Sequence, residues 1–150
     1  MYSTLSAPEY LINNHTITSK ILKRKVDFDI FLPDNLLGNE MLNLLLLNDG
    51  QDAEALGLQD ILTTLYSECR IHPVVVVCIK TGAERIQEYG VANNPDFKGR
   101  GSKASAYTKF IITELMPFID SLALNVNGKR GFAGFSLGGL SAFDIVLHNP

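Results

Sequence analysis

Between Val26 and Leu32, the apolar residues Val26, Phe28, Ile30 and Leu32 interleave with Asp27, Asp29 and Phe31, a period of two. That spacing predicts a strand with one apolar and one polar face, and Thr16 to Lys23 reads as the strand before it. Pro33-Asp34-Asn35 and Gly38-Asn39 carry turn chemistry. Leu42 to Leu47 is apolar on both faces, as a central parallel strand should be, and it stops at Asn48-Asp49-Gly50. Leu58, Ile61, Leu62 and Leu65 recur at three- and four-residue spacing and predict a helix that closes near Arg70, broken by His72-Pro73. Val74 to Ile79, β-branched almost throughout, predicts a second doubly buried strand. A polar stretch from Lys80 to Lys103 follows, carrying Gly82, Gly90, Pro95, Gly99 and Gly101, and loops of that length inside a compact domain are often functional. Tyr107, Phe110, Ile111, Leu115 and Phe118 then mark an amphipathic helix that Pro117 kinks or ends. After a turn at Asn125, Asn127 and Gly128, Arg130 to Phe135 reads as a short strand and Leu137 to Leu147 as a helix. Buried strands alternating with helices predict an α/β fold of three layers, with crossovers joining a mostly parallel central sheet.

Composition fits one soluble domain: 150 residues, 46% hydrophobic and 19% charged, with a net charge of −3. Disorder is excluded by unbroken apolar stretches such as Leu36-Leu37 and Leu44 to Leu47. No apolar run approaches the roughly 18 to 20 residues of a membrane span, and the segment after Met1 is polar and contains proline. Neither a transmembrane helix nor a signal peptide is expected, and the cytoplasm is the expected location. An acidic balance without a Lys/Arg block argues against nucleic acid or an anionic membrane as the main partner. The one basic run, Lys20 to Lys25, alternates with apolar residues and reads as the solvated face of a strand. Cys69 and Cys78 cannot build a disulfide framework or a zinc site, and Cys78, inside an apolar run, reads as a buried thiol. No metal cluster or cofactor fingerprint is present.

The chemistry sits between the last strand and the last helix, where Gly134-Phe135-Ser136-Leu137-Gly138-Gly139 contains G-x-S-x-G. In that motif a strand turns into a helix so tightly that the serine is held at strained dihedrals, and positions 134 and 138 must lack bulk. At average glycine and serine frequencies about 0.05 such matches are expected by chance in a chain this long. The alternative role for Ser136 is an ordinary helix N-cap. The Leu137 N–H would lie at a helix N-terminus, where the dipole favours a developing negative charge. A second oxyanion donor is expected from the loop after the neighbouring strand, here Asn48-Asp49-Gly50-Gln51-Asp52, although Asp49-Gly50 taken alone reads equally well as a plain turn. Parallel strands lie about 4.8 Å apart, so the two loops can converge on one oxygen, with Gln51 N–H as the candidate and Gly50 allowing close approach.

Several pieces together resemble the esterase family that includes esterase D and enterochelin esterase, within the α/β-hydrolase superfamily. They are the Leu-Leu-Asn-Asp-Gly-Gln run at 46 to 51, the Arg85-x-x-Glu88-Tyr89 group, Gly101 before the Ala106-Tyr107 helix with Leu115-Met116-Pro117-Phe118-Ile119 at its end, and the elbow itself. The elbow is shared with many serine hydrolases; the Asp-Gly-Gln and Arg-x-x-Glu-Tyr pieces narrow the resemblance. It implies Ser136 as nucleophile, Leu137 and Gln51 as backbone oxyanion donors, and a small-molecule ester or thioester as substrate. It also implies that the Lys80 to Lys103 loop lies near the active-site mouth. There Arg85, Glu88 and Tyr89 either shape the substrate site or brace the loop through an ion pair, bracing being the preferred reading.

A serine nucleophile needs a histidine base oriented by a carboxylate. His148 lies 12 residues beyond Ser136 on the same helix, about 18 Å away. His72 precedes a strand about 20 Å long whose opposite end faces the elbow. His15 falls before or at the start of the first strand. None is suitable, and Asp144 reads as a helix-surface charge. Because α/β-hydrolases supply serine, acid and histidine in that chain order, both partners are expected beyond Pro150. Residues 1–150 therefore read as the N-terminal part of a single α/β-hydrolase domain of about 250 residues, truncated after the elbow helix. The elbow strand would then have an uncovered outer edge open to self-association. An esterase acting through an acyl-enzyme is the leading expectation. An acyltransferase and a non-catalytic binding or assembly module are the alternatives.

Overall fold

The computed structural model describes residues 8–36 and 38–150. Leu37 and residues 1–7, on which part of the Leu36-Leu37 reading and the signal-peptide reading rest, lie outside the described residues. Five strands, β1 (Tyr10–Ser19), β2 (Arg24–Pro33), β3 (Asn43–Leu47), β4 (Val74–Ile79) and β5 (Arg130–Ala133), form one sheet in the order β1-β2-β4-β3-β5. Only β2 runs against the others: it is antiparallel to β1 and β4, while β3 is parallel to both β4 and β5. The helices are α1 (Leu58–Ser67), α2 (Arg85–Glu88), α3 (Ala104–Phe110), α4 (Met116–Ser121) and α5 (Leu137–His148).

Two cores flank the sheet, which gives the three layers. On one face Val26, Phe28, Ile30, Leu44, Leu46, Val75 and Val77 pack with Tyr107, Phe110, Ile111 and Leu115, and with Ile145 of α5. On the other, Tyr10, Phe31, Leu62, Val76 and Cys78 pack together, with α1 as the cover. The alternation read in β2 therefore holds for Val26, Phe28 and Ile30, but its second face is not polar throughout. Phe31 is 3% exposed, because α1 and Tyr10 cover the sheet at that level. The same second core holds the Cys78 thiol, whose pKa burial pushes up to about 12.

Three other readings are corrected. The first strand begins at Tyr10 and ends at Ser19, and residues 20–23 form a hairpin turn with Lys23 at φ 54°. The basic run thus sits in and beside a turn, not on a strand face. β1 is an edge strand with a mostly exposed outer side, so its first half, with Asn13, Asn14 and His15, carries a weak apolar signal. Pro117 does not end its helix. Ile111–Leu115 adopts a π-helical turn between α3 and α4, and the chain stays helical to Ser121. Proline has no N–H to bond the carbonyl four residues back and its ring collides with that carbonyl, so one widened turn accommodates it.

The sheet brings the carboxyl ends of β3, β4 and β5 to one side, and there the elbow, the loop after β3 and the segment 80–103 meet. No helix among the described residues is long and apolar enough to cross a membrane.

Candidate active site

Ser136 joins β5 to α5 with φ 49° and ψ −121°, a conformation that costs a residue bearing a side chain. Its side chain is exposed and makes no capping hydrogen bond to the helix. That removes the ordinary N-cap role, in which the hydroxyl would accept a first-turn N–H. The strain needs its glycines. A Cβ on Gly134 would lie 2.5 Å from the carbonyl carbon and oxygen of Gly138, and one on Gly139 would lie 2.9 Å from the Gly134 oxygen. At Gly138 the obstacle is mainly side chains of the neighbouring loop, with Asp49 Oδ2 at 2.9 Å and Asn48 Cβ at 3.3 Å. Gly134→Ala should therefore force the strand and helix apart and shift Ser136 by a fraction of an ångström or more. The expected loss is about 1 to 3 kcal/mol of stability, read by urea melts.

Leu137 is the first residue of the 12-residue α5. Helix geometry leaves its N–H without an intrahelical acceptor, while Gly139 N–H bonds Phe135 O and Leu140 N–H bonds Ser136 O. Across from it, the loop after β3 enters a short 3-10 turn at Gly50–Asp52 through Asp49, whose φ is 60°. Gly50 is required there because a Cβ would come within 2.4 Å of the Cys78 carbonyl. The close approach that its lack of bulk permits is thus to the backbone of β4. Gln51 is fixed through its side chain: Nε2 donates to Asp49 Oδ1 at 3.2 Å and Oε1 accepts Thr81 N–H at 3.0 Å.

The Arg85-x-x-Glu88-Tyr89 group reaches two different elements. Arg85 makes a two-pronged bond to Asp49, Nε to Oδ1 at 2.6 Å and Nη2 to Oδ2 at 2.7 Å. Its guanidinium also lies 5.2 Å from the Tyr89 ring centre, and the Tyr89 hydroxyl accepts the Asp49 N–H at 3.1 Å. Glu88, 0% exposed, holds Arg24 at the start of β2, with Nε to Oε1 at 2.8 Å and Nη2 to Oε2 at 2.6 Å. All three residues thus make contacts with the loop after β3 or with β2. Burial alone would raise the Asp49 pKa, but its bonds from Arg85 and Gln51 outweigh this and hold it below the usual carboxylate range.

As pH falls through the ordinary aspartate value of about 3.9, the unfolded chain takes up a proton before the folded one does, so stability drops. Asp49 contributes fully above that value and loses its contribution as pH falls towards its folded pKa. Asp49→Asn is expected to be less stable at neutral pH and to show a flatter decline below about pH 4, measured as urea midpoint against pH.

The histidines are placed elsewhere. His15 on β1 stacks on Phe28 at 5.4 Å, and β1 lies four strand spacings, about 19 Å, from β5. His72 precedes β4 at the far end of the sheet, and His148 Nδ1 lies 2.9 Å from the Asp144 carbonyl oxygen on its own helix. Asp144 is not a surface charge: it is 6% exposed, and Oδ2 accepts Ala92 N–H at 2.9 Å, tying the segment 80–103 to α5. A groove of about 620 Å³ runs between β1, β2 and the start of α1, past Asn14, Asp29 and Lys80. Gln51 is the one candidate site residue on its wall, and Ser136 is not part of it. Among the described residues no group of three or more His, Cys, Asp or Glu could hold a metal ion.

Two residues that sequence reasoning passed over join the elbow to its surroundings. Asn48 donates from Nδ2 to Gly138 O at 2.8 Å, and its Oδ1 accepts the Tyr107 hydroxyl at 2.6 Å.

Residues 19–150 match the family described as putative esterase. An IroE-like serine hydrolase from Shewanella oneidensis superposes with a TM-score of 0.75 at 26% identity, over 89% of this chain and 45% of that one. The enterobactin esterase FES from Shigella flexneri superposes with a TM-score of 0.77 at 26% identity, over 96% of this chain and 35% of that one. A ferulic acid esterase shares the fold, with a TM-score of 0.68 at 23% identity over 94% and 54%. The chain thus spans less than half the length of the first two proteins. No curated protein sequence matches it.

Proposed function

The chain belongs to the putative esterase family, and from that premise we propose that it supplies the nucleophile half of a serine hydrolase acting on small-molecule carboxylic esters or thioesters. One observation carries the reading: Ser136 stands exposed at φ 49° on a glycine-flanked strand-to-helix turn, with no capping bond to account for the strain. Ser136 Oγ adds to the substrate carbonyl carbon while a histidine takes its proton. The Leu137 and Gln51 N–H groups hold the oxygen that becomes anionic. Collapse of the tetrahedral adduct breaks the ester bond, the leaving alcohol or thiol takes the proton back from histidine, and water releases the acyl group by the same route. The histidine and its carboxylate come from chain that follows Pro150. The reading invokes neither a metal nor an organic cofactor, and its partner is the ester; no nucleic acid or membrane surface is called for, and the cytoplasm is the proposed compartment.

The test is hydrolysis of p-nitrophenyl acetate by the complete gene product, compared with residues 1–150 alone. Activity is expected in the first and none in the second. Absence of ester and thioester hydrolysis from the complete product would contradict the proposal. Residues 1–150 produced alone are also expected to self-associate. β5 is an edge of the sheet, and Phe135, Leu140, Phe143, Val146 and Leu147 beside it are exposed. Sedimentation velocity should show dimers or larger species, and Phe143→Glu should shift them towards monomer.

A further inference from the structure

We infer that Asn48 is a positioning residue that sets the gap between the two oxyanion donors, an inference that rests on the esterase reading. Its backbone N–H donates to Ala133 O, the last residue of β5, at 2.9 Å. Its side-chain Nδ2 donates to Gly138 O, in the first turn of α5, at 2.8 Å. One residue therefore holds both sides of the elbow, three residues before Ser136 and two after it. The same residue opens the loop that carries Gln51. The distance from Leu137 N–H to Gln51 N–H is thus spanned by a short rigid path: one residue back from Gly138, across the Asn48 amide, and three residues on.

The amide is the one group that suits this place. Asn48 is 1% exposed, so each of its polar atoms needs a partner. Its Oδ1 receives the Tyr107 hydroxyl at 2.6 Å, and Tyr107 is itself wholly buried against Tyr89 and Phe110. With a hydroxyl donor on one side and a carbonyl acceptor on the other, the orientation of the amide is fixed by its neighbours. Aspartate has the same shape but would turn a carboxylate oxygen towards the Gly138 carbonyl. Leucine fills the space but offers no acceptor to the Tyr107 hydroxyl and no donor to Gly138 O. Tyr89 supports the same loop one residue later, through the Asp49 N–H.

A group that sets the oxyanion gap acts on the transition state more than on bound substrate, because the donors face the oxygen where charge develops. In the complete gene product, Asn48→Ala is expected to lower kcat for p-nitrophenyl acetate about 10²-fold, the effect of losing one oxyanion donor, with KM changed less than twofold. Affinity for a trifluoromethyl ketone, which forms a tetrahedral adduct, should fall in parallel, while affinity for a non-reactive substrate amide should not. Asn48→Asp should do no better than alanine. Tyr107→Phe removes the hydroxyl that orients the amide and that also meets Tyr89; it is expected to lose about 10-fold in kcat at constant KM, and it carries the test if the Asn48 variants do not fold. Unchanged kcat in a folded Asn48→Ala or Tyr107→Phe protein, or a loss confined to KM, overturns the inference. Failure of the esterase reading is a separate outcome, since it appears as full activity in Ser136→Ala.

Discussion

Ser136→Ala in the complete gene product is expected to lower kcat for a p-nitrophenyl ester by about 10⁶-fold, the scale seen when a serine acting with its base is removed. What remains is expected from substrate binding and from the proposed Leu137 and Gln51 donors, which the substitution leaves in place. Stability should move by no more than about 0.5 kcal/mol, because the hydroxyl is exposed and makes no cap bond, and alanine meets the same backbone strain. Ser136→Gly separates strain from chemistry. Glycine tolerates φ 49°, so that variant should be equally inactive yet more stable by about 1 kcal/mol, the low end of what such a conformation costs. A Ser136→Gly protein less stable than the parent would mean that the turn is not strained in solution.

The largest stability effect is expected at the ion pair between Glu88 and Arg24. Its side chain is 0% exposed, and both carboxylate oxygens are taken by Arg24, whose own side chain is 21% exposed. Removing one partner of a buried pair leaves a charge without compensation and costs about 3 to 5 kcal/mol. Glu88→Ala should fall at the lower end, because the freed guanidinium can still reach water. Arg24→Leu should fall at the upper end, because it strands a carboxylate that cannot. Removing both should cost less than the sum of the two, since neither charge is then orphaned. Urea melts of the two single variants and the double variant measure this directly. Additive losses, or a Glu88→Ala cost under 1 kcal/mol, would show that the pair is not what holds α2. Activity should fall as well, because α2 also carries Arg85, whose grip on Asp49 supports the loop bearing Gln51.

The buried strands β3 and β4 were legible because a strand covered on both faces is apolar along nearly its whole length, as Leu44 to Leu47 and Val74 to Ile79 are. The elbow was legible because a steric constraint dictates its residue types, and each of its glycines meets a contact that a Cβ would violate. Edge strand β1 reads out of place from its sequence, beginning at Thr16 instead of Tyr10 and running to Lys23 past its end at Ser19. One side of it meets water, which leaves the pattern little to enforce, and its register comes from pairing with β2 along its whole length. The π turn before Pro117 could be anticipated only as a kink, since sequence spacing does not say whether a helix breaks or widens at proline.

Polar partners were the least legible part of the site. Asn48 reads only as the start of the loop after a strand and Asp144 as a surface charge, yet both are buried because distant elements supply their partners: Tyr107 and Gly138 for one, Ala92 for the other. A signal existed in Tyr107, a hydroxyl set in the apolar stripe of a helix, which had to find a partner inside the protein. What no local pattern could supply was the identity of that partner, 59 residues away.

The central claim, that Ser136 is the nucleophile, is tested most directly by treating the complete gene product with a fluorophosphonate, digesting it and locating the adduct by mass spectrometry. The account expects one stoichiometric adduct on Ser136, with esterase activity lost in step with labelling. An adduct on another residue that accounts for the lost activity, or full labelling of a Ser136→Ala protein, would contradict it.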